Sequence, residues 1–305
     1  MGMNDQKFVI IDGHSVARRA YHALPPFTTK NGDLVNAVYG FSSVLLKIIK
    51  EQKPDFMAVA FDLPGATFRH EAFPGYKATR KKTPDEFSRQ LPLIKEVLQA
   101  MGIKTFEKSG WEADDIIGAI ANSAIVANSA IINEDKKVKV LIVSSDTDLL
   151  QLINGQTQVL LLQKGISQSV CFDEAMVREK YSGLGPVQLL DFKSLRGDPT
   201  DNIPGVSGIG EKTAIKLISE FGTLDEIYAA AEKSSSGIPD SLRQRLINQR
   251  EQAFLSRKLA TITKDAQVGF NLKECSFGDY DKQPVINVFE SLHFPSLILR
   301  LQGIN

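Results

Sequence analysis

The chain has 305 residues, of which 43% are hydrophobic and 24% are charged, an ordinary composition for a soluble globular protein. Its 36 basic and 36 acidic residues cancel, so any nucleic-acid binding must come from local basic patches and not from a global positive field. The two cysteines do not have the spacing of a zinc site, and no apolar run approaches the ~20 residues of a membrane span. The N-terminus is polar and lacks the apolar core of a signal peptide. We therefore expect a cytoplasmic protein with no membrane partner.

The first half of the chain alternates short apolar runs with segments of helical periodicity. The runs predict strands at 8–12, 56–61, 103–106, 138–143, 158–162 and 169–172. Helical spacing predicts helices at 15–24, 37–49 and 87–101, another that begins near residue 113 and ends before a polar connection at 133–137, and a helical turn at 149–153. Such alternation predicts an α/β fold with a mainly parallel, helix-covered sheet over residues 1–173.

The second half of the chain, residues 174–305, is predicted to be helical. Apolar spacing predicts helices at 187–195, 211–221, 224–232, 242–260 and 285–301. The stretch 234–237, three serines and a glycine, reads as a flexible joint, and residues 265–284 have no strong pattern.

Acidic side chains follow three of the predicted strands where each strand ends: Asp12, Asp62, and the pair Asp146 and Asp148. In parallel α/β sheets, ligands bind beyond the carboxyl ends of the strands. One acid after a strand is commonly a cap for the next helix, but several acids on one sheet edge are harder to explain in that way.

Two further acidic groups lie away from the strand ends. Glu112, Asp114 and Asp115 lie at the start of the helix near residue 113, where their negative charges repel one another. A cation bound between them would offset this repulsion. The alternative is a solvated, acid-rich helix start. Asp198 and Asp201 form another pair in a Pro- and Asn-containing turn and are weaker evidence alone.

The candidate ligands are all oxygen donors, which favours Mg²⁺ or Mn²⁺ over zinc or copper. Two such ions about 4 Å apart suit in-line cleavage of a phosphodiester bond. His14 follows Asp12 and Gly13 but has no motif partner, so packing at the start of a helix is the preferred interpretation for it.

A glycine-rich turn and a basic loop are the candidate nucleic-acid contacts. In the turn, closely spaced glycines let backbone N–H groups approach a phosphate just before a helix begins. The pattern is not a Walker motif and predicts a helix–hairpin–helix clamp over 197–221. Such a clamp holds the DNA backbone without reading its sequence. The clamp candidates are Gly205, Gly208, Gly210, Lys212, Thr213 and Lys216.

Residues 63–86 form a long polar loop, which we interpret as a nucleic-acid contact; the alternative is a solvated basic segment without a function. Its candidates to hold a strand are Arg69, Lys77, Arg80, Lys81 and Lys82, with Tyr76 available to stack a base.

Eight motifs resemble the bacterial 5′-nuclease family, and most closely the N-terminal 5′→3′ exonuclease domain of DNA polymerase I. They occur in family order over nearly the whole chain: FVIIDG at 8–13, AFD at 60–62, FRHE at 68–71, YKATR at 76–80, WEADD at 111–115, SDTDLLQL at 145–152, GDPTDNIPG at 197–205 and GIGEKTA at 208–214. Ser145 stands where a glycine is more usual, and the connection at 128–137 is longer than is typical.

The resemblance implies a PIN-like nuclease fold with a helical arch, which it places at the loop 63–86, and a helix–three-turn–helix region that binds duplex DNA. It implies structure-specific cleavage of 5′ flaps and removal of nucleotides from 5′ ends, including RNA primer ends, in replication and repair. By position, the family's metal-site carboxylates match Asp12, Asp62, Glu112, Asp114, Asp115, Asp146, Asp148, Asp198 and Asp201. Lys77 matches the arch lysine that contacts the scissile phosphate, with Arg69 in the same catalytic gateway, and the hairpin carbonyls match a K⁺ site.

The resemblance leaves open whether the chain stands alone or is part of a polymerase, and it implies a nucleoid-associated monomer that works with a DNA polymerase, fused or separate. A haloacid-dehalogenase-type phosphatase needs Asp-x-Asp after the first strand, where this chain has His14. A PIN-type ribonuclease does not explain the glycine hairpin, and a structural DNA-binding module without catalysis would have lost several of the carboxylates.

Overall fold

The structure is a computed structural model and describes residues 5–131, 137–166, 168–233, 235 and 237–304. Residues 132–136, which include most of the polar connection predicted at 133–137, and Ser234 and Ser236 of the predicted joint, lie outside the described residues.

One sheet organises the described part of the N-terminal half, with strand order β3-β2-β1-β4-β5-β6. Its strands are β1 (Gln6–Asp12), β2 (Phe56–Ala60), β3 (Lys104–Phe106), β4 (Val138–Ser144), β5 (Thr157–Leu162) and β6 (Ser169–Phe172). Neighbours pair in parallel except for β5 and β6, which are antiparallel. The predicted mainly parallel sheet is confirmed, and β2, β1 and β4 lie side by side, so their carboxyl ends form one edge.

The helices, in chain order, are α1 (Gly13–Ala23), α2 (Asn36–Gln52), α3 (Phe68–Ala72), α4 (Asp85–Ser88), α5 (Leu91–Ala100), α6 (Ala113–Ile131), α7 (Glu174–Lys180), α8 (Gln188–Arg196), α9 (Glu211–Phe221), α10 (Leu224–Ala231), α11 (Asp240–Asn248), α12 (Arg250–Ala260), α13 (Lys282–Ser291) and α14 (Pro295–Gln302). Two 3₁₀ turns lie at Asp148–Leu152 and Leu272–Cys275. Within these described residues, no helix is both long and apolar enough to cross a membrane.

The sheet is covered on both faces because alternate side chains of each strand point to opposite sides. Val9 and Ile11 of β1 pack with α1, α2, α5, α13 and α14, while Phe8 and Ile10 pack with α6 and the 3₁₀ turn after β4. Burial on both faces explains why β1 and β4 read as unbroken apolar runs.

The helices α8 to α12 form a separate core. Phe192 of α8, Leu217 and Ile218 of α9, and Ile227 of α10 pack together there. Val206 and Ile209 of the glycine-rich turn point into the same core and are 1% and 3% exposed. The turn is therefore anchored by its apolar residues.

Three predicted helices are broken. The helix expected at 87–101 divides into α4 and α5, the one at 242–260 into α11 and α12, which meet at Gln249, and the one at 285–301 into α13 and α14. The last break has a local cause, because His293 takes a left-handed backbone (φ 61°) and Pro295 begins α14. Two short helices were not predicted: α3 inside the expected loop at 63–86, and α7, whose N-cap Asp173 accepts a hydrogen bond from Met176 N–H.

Candidate metal and nucleic-acid site

The ends of β1, β2 and β4 place their aspartates at one edge of the sheet. Asp12 ends β1 and caps α1, accepting from Ser15 N–H (3.0 Å) and from the Ser144 hydroxyl (2.7 Å). Asp62 follows β2, and its Oδ1 accepts from Ala113 N–H at the start of α6 (2.8 Å). Asp146 follows β4, and its Oδ1 accepts from Asp148 N–H (2.9 Å). These bonds fix each carboxylate while leaving further lone pairs for a ligand.

Asp12 and Asp114 are buried beside other acids, which raise the energy of their charged forms. Burial, followed by the charges of Asp62 and Asp146, raises the pKa of Asp12 to about 7 against its two hydrogen bonds. Burial, followed by the charges of Asp146 and Asp12, raises the pKa of Asp114 well above its ordinary value. The helix start that carries Asp114 therefore shares one negatively charged centre with the strand-end aspartates.

A second group lies where α8 approaches β4. Lys193 forms ion pairs with Asp148 and with Asp198, 2.7 Å from Oδ2 of the latter. Burial and Asp146 raise the pKa of Asp148 to about 7, and although burial alone would lower the pKa of Lys193, the two aspartates raise it. A cavity of about 270 Å³ opens beside these side chains. Sequence reasoning missed Lys193 because a single lysine within a helix matches no motif.

A third group joins the base of the arch to the turn that carries Asp201. Lys77 Nζ lies 2.8 Å from Glu112 Oε1 and 3.8 Å from Asp201 Oδ2, and Arg80 pairs with Asp201. The Lys77 N–H donates to the Asp201 carbonyl (2.9 Å) with its backbone in the left-handed region (φ 54°). Although burial favours the neutral amine, Glu112 and Asp201 hold the pKa of Lys77 above its ordinary value, so the ammonium stays charged.

Two arch residues do not lie where the basic loop predicted them. Tyr76 is 3% exposed, and its hydroxyl donates to Glu112 Oε2 (3.1 Å) and Asp201 Oδ2 (3.2 Å), so the ring is not available to stack a base. Arg69 is 2% exposed and donates to both oxygens of Asp115, at 2.6 and 2.8 Å. Buried in this way, Arg69 is not exposed to hold a strand in this structure, and its predicted place in the catalytic gateway stays a prediction.

Asp115 is likewise held away from its acidic neighbours. It is fully buried, and besides Arg69 it accepts from Thr263 N–H (3.0 Å) and Glu112 N–H (3.3 Å). These partners make Asp115 the buried counter-ion of Arg69, and its predicted role as a metal ligand stays a prediction.

The remaining candidates lie on the surface. Lys81 and Lys82 are exposed, and the Lys82 side chain is 90% exposed with only a 4.0 Å contact to Asp85. In the hairpin, Gly205 and Gly208 have positive φ (61° and 80°), a conformation that favours glycine.

The end of the hairpin faces solvent with its basic residues. Gly210 is the N-cap of α9, and Lys212 and Lys216 on that helix are exposed, with Thr213 half-buried between them. The helix start and its lysines therefore form a positively charged, solvent-facing end, as a phosphate-binding clamp requires.

The donor chemistry fits a hard cation that keeps part of its water shell. In the part of the chain that the structure describes, no three carboxylate, imidazole or thiol groups converge closely enough to hold a metal directly. Glu112, Asp148 and Asp201 instead pair with lysine or arginine. Because Mg²⁺ binds through one or two carboxylates and retains several waters, a close-packed set of protein ligands is not needed.

Comparisons with known proteins identify the family to which the chain is similar. A family model described as 5′-3′ exonuclease, N-terminal resolvase-like domain, matches residues 7–182, and one described as 5′-3′ exonuclease, C-terminal SAM fold, matches residues 184–283. DNA polymerase I of Bacillus caldotenax is 43% identical over 298 residues, which are 98% of this chain and 32% of that protein. DNA polymerase I of Bacillus subtilis (strain 168) is 40% identical over 296 residues, 97% of this chain and 32% of that protein. The chain thus spans about a third of these relatives' length.

Solved structures share the fold over nearly the whole chain. T5 5′-exonuclease with bound zinc has a TM-score of 0.68 at 20% identity, and the matched region covers 98% of this chain and 99% of the T5 chain. The catalytic core of Rad2 in complex with DNA substrate has a TM-score of 0.63 at 15% identity and covers 99% of this chain and 93% of its own. Together with the family models, these likenesses confirm the predicted PIN-like fold with its helical C-terminal region.

Proposed function

We propose that this chain, which belongs to the 5′-3′ exonuclease family, is a metal-dependent nuclease that removes nucleotides from DNA 5′ ends and cuts 5′ flaps. The observation that supports this most is the negative centre formed by Asp12, Asp62, Asp114 and Asp146, in which burial and mutual repulsion raise the pKa of Asp12 and Asp114. A fold does not retain such repulsion for stability, whereas a cation and an anionic phosphodiester meet there with complementary charge.

The residues divide the work by position. Asp12, Asp62, Asp114 and Asp146 would hold ions at the sheet edge, and Asp148 and Asp198 would do so beside Lys193. Such ions, when bound, offset the charge of the phosphodiester and supply hydroxide near neutral pH.

Lys77 borders the same centre and holds a charged ammonium at the base of the arch. Its positive charge lies where a phosphate that reaches the site gains negative charge in the transition state. The ammonium is therefore expected to act on the reaction more than on duplex affinity.

We propose Mg²⁺ or Mn²⁺, in two or more ions, because every candidate ligand is an oxygen. The related T5 5′-exonuclease is described with zinc, so the identity of the metal has to be tested. The K⁺ ion expected at the hairpin remains a prediction. Such an ion would bind backbone carbonyls of the hairpin, and the Gly205 carbonyl already accepts a hydrogen bond from Gln252 Nε2 (2.6 Å).

The substrates we propose are double-stranded DNA with a 5′ flap, free 5′ ends and RNA–DNA primer ends, met during replication and repair. The relatives named above are DNA polymerases, which supports a polymerase partner, fused or separate. We expect the nuclease to act as a monomer, in the cytoplasm and on the nucleoid.

The test uses a 5′-labelled DNA flap with Mg²⁺, Mn²⁺ or EDTA, beside the same flap made of RNA. We expect a metal-dependent cut near the junction that Asp146→Asn abolishes while flap binding survives. Asp279→Asn, a change of the same kind at an exposed position away from the site, is the matched control. Near-normal turnover of Asp146→Asn would defeat the assignment, and cleavage of the RNA flap alone would favour a ribonuclease.

A further inference from the structure

The backbone of the glycine-rich turn accepts hydrogen bonds from, and donates them to, side chains on and between α11 and α12. Gln252 Nε2 donates to the Gly205 carbonyl (2.6 Å), and Gly205 N–H donates to the Ser256 hydroxyl (3.0 Å). Ser207 N–H donates to Gln249 Oε1 (2.8 Å). Arg245 donates through one guanidinium nitrogen to the Gly208 carbonyl (2.9 Å). Four backbone groups of the turn thus have hydrogen-bond partners on or between α11 and α12.

These four side chains form one stripe. Arg245, Gln249, Gln252 and Ser256 recur at intervals of four, three and four residues, the spacing of one helix face. The stripe continues across the break between α11 and α12, where Gln249 caps both helices. Its fit is close, because a β-carbon added at Gly208 would lie 2.7 Å from the Arg245 guanidinium.

The opposite side of the turn is left open. Among the described residues, the N–H groups of Gly208 and Gly210 have no acceptor. Carbonyl oxygens repel phosphate oxygens, whereas N–H groups attract them. Holding the carbonyls of Gly205 and Gly208 toward α11 and α12 therefore leaves the N–H groups and the first turn of α9 as the face that meets a phosphate.

We propose that Arg245, Gln249 and Gln252 are positioning residues for duplex DNA, which set the orientation of the hairpin without contacting the reacting phosphate. The inference rests on the proposed function and adds a residue set that the glycine motif does not contain. Val206 and Ile209 anchor the turn in the core, but apolar packing does not orient its carbonyls. That orientation needs donors at fixed positions, which the stripe supplies.

The experiment compares Gln252→Leu with the matched control Gln244→Leu, which alters an exposed glutamine of α11. Affinity for an unflapped duplex is measured by fluorescence anisotropy over a range of salt concentrations. We expect Gln252→Leu to weaken binding by up to about tenfold, the upper end of the net contribution of one neutral hydrogen bond. Its salt dependence should also become shallower although no charge is removed, because fewer phosphates are neutralised. In flap cleavage, KM should rise more than kcat falls.

A second pair of variants tests the proposal independently, in case Gln252→Leu does not fold. Arg245→Gln is compared with Arg243→Gln; both remove one charge from α11, but Arg243 pairs with Asp240 and not with the hairpin. Weakened duplex binding in Arg245→Gln alone supports the proposal. Wild-type affinity and salt dependence in Gln252→Leu and Arg245→Gln would overturn it. Failure of the wild-type protein to cleave a flap would instead refute the proposed function, since the duplex-binding measurement is independent of cleavage.

Discussion

Replacing Arg69 with methionine tests whether the acid beside it is a counter-ion or a metal ligand. The Arg69 side chain is 3% exposed and that of Asp115 is fully buried, and two hydrogen bonds of 2.6 and 2.8 Å join them. Arg69 also donates to the carbonyls of Leu259 (2.8 Å) and Thr261 (2.6 Å) at the end of α12. Methionine has a stem of similar length but removes every one of these donors.

The expected cost follows from the charge left behind. Breaking a buried ion pair by removing one partner costs about 3–5 kcal/mol, because the other charge stays desolvated without its counter-ion. Asp115 would keep only the N–H groups of Thr263 and Glu112. With an unfolding entropy of about 2.1 cal/mol/K per residue over 305 residues, this corresponds to a fall of roughly 5–8 °C in Tm.

The assay is thermal and urea unfolding of Arg69→Met without metal, beside Asp115→Asn and the double variant. Arg250→Met is the matched control, since Arg250 pairs with Glu232 on the surface at 54% exposure and should cost about 1 kcal/mol or less. The double variant should lose less than the sum of the single variants because the two residues are coupled.

Two results would refute the counter-ion assignment. The first is an Arg69→Met protein that unfolds at the wild-type temperature. The second is an Asp115→Asn protein that keeps its stability but loses one bound Mg²⁺ in a calorimetric titration. The second result would return Asp115 to the metal ligands.

Three further outcomes are expected. Lys77→Met should slow single-turnover flap cleavage by about 10²–10³, as for loss of one preorganised charge at the reacting phosphate, with duplex affinity little changed in a binding assay. Tyr76→Phe should lower Tm measurably without metal, because Glu112 loses a hydrogen-bond donor in a buried place. The metal-free protein should become less stable as pH rises from about 4 to about 7. The pKa of Asp12 and that of Asp148 are each raised from 3.8 to about 7 in the folded protein. The folded state therefore binds these protons more tightly than the unfolded state does, and it loses that advantage as the pH rises. Scanning calorimetry should show this decline, and Mg²⁺ should reverse most of it at pH 8; equal stability at pH 5 and pH 8 without metal would contradict it.

The positions of the strand-end acids could be predicted from the sequence because the argument needs only element type and order. Apolar runs that each end in an acid predict parallel strands, and parallel strands bring their carboxyl ends together, so Asp12, Asp62 and Asp146 were expected at one edge. No knowledge of side-chain packing was required.

The surroundings of Tyr76, Arg69 and Lys193 could not be predicted in the same way. A run of lysines and arginines around Tyr76 is typical of a solvated loop, and its burial depends on acids 36 and 125 residues away along the chain. Arg69 is held by carbonyls 190 and 192 residues away. Such contacts exist only once the second half of the chain has folded against the first.

The helix breaks were hidden for a related reason. The apolar period continues across Gln249, because Leu246 of α11 and Ala253 of α12 pack in the same core. A pattern read as one helix cannot show a change of backbone angle between two such residues.

The site therefore couples the two halves that the family models match separately. Lys77 and Glu112 come from the first half, Lys193 and Asp201 from the second, and the Lys77 N–H joins them through the Asp201 carbonyl. A chain cut between residues 182 and 184 would leave Asp148 without Lys193 in the first fragment. It would also remove the α12 carbonyls that fix Arg69. Lys193 pairs with Asp148, and Lys77 and Arg80 pair with Asp201, across this division. These acids therefore keep their basic partners only when the two halves are together, and the arch base is positioned by the helical region at the same time as the carboxylates.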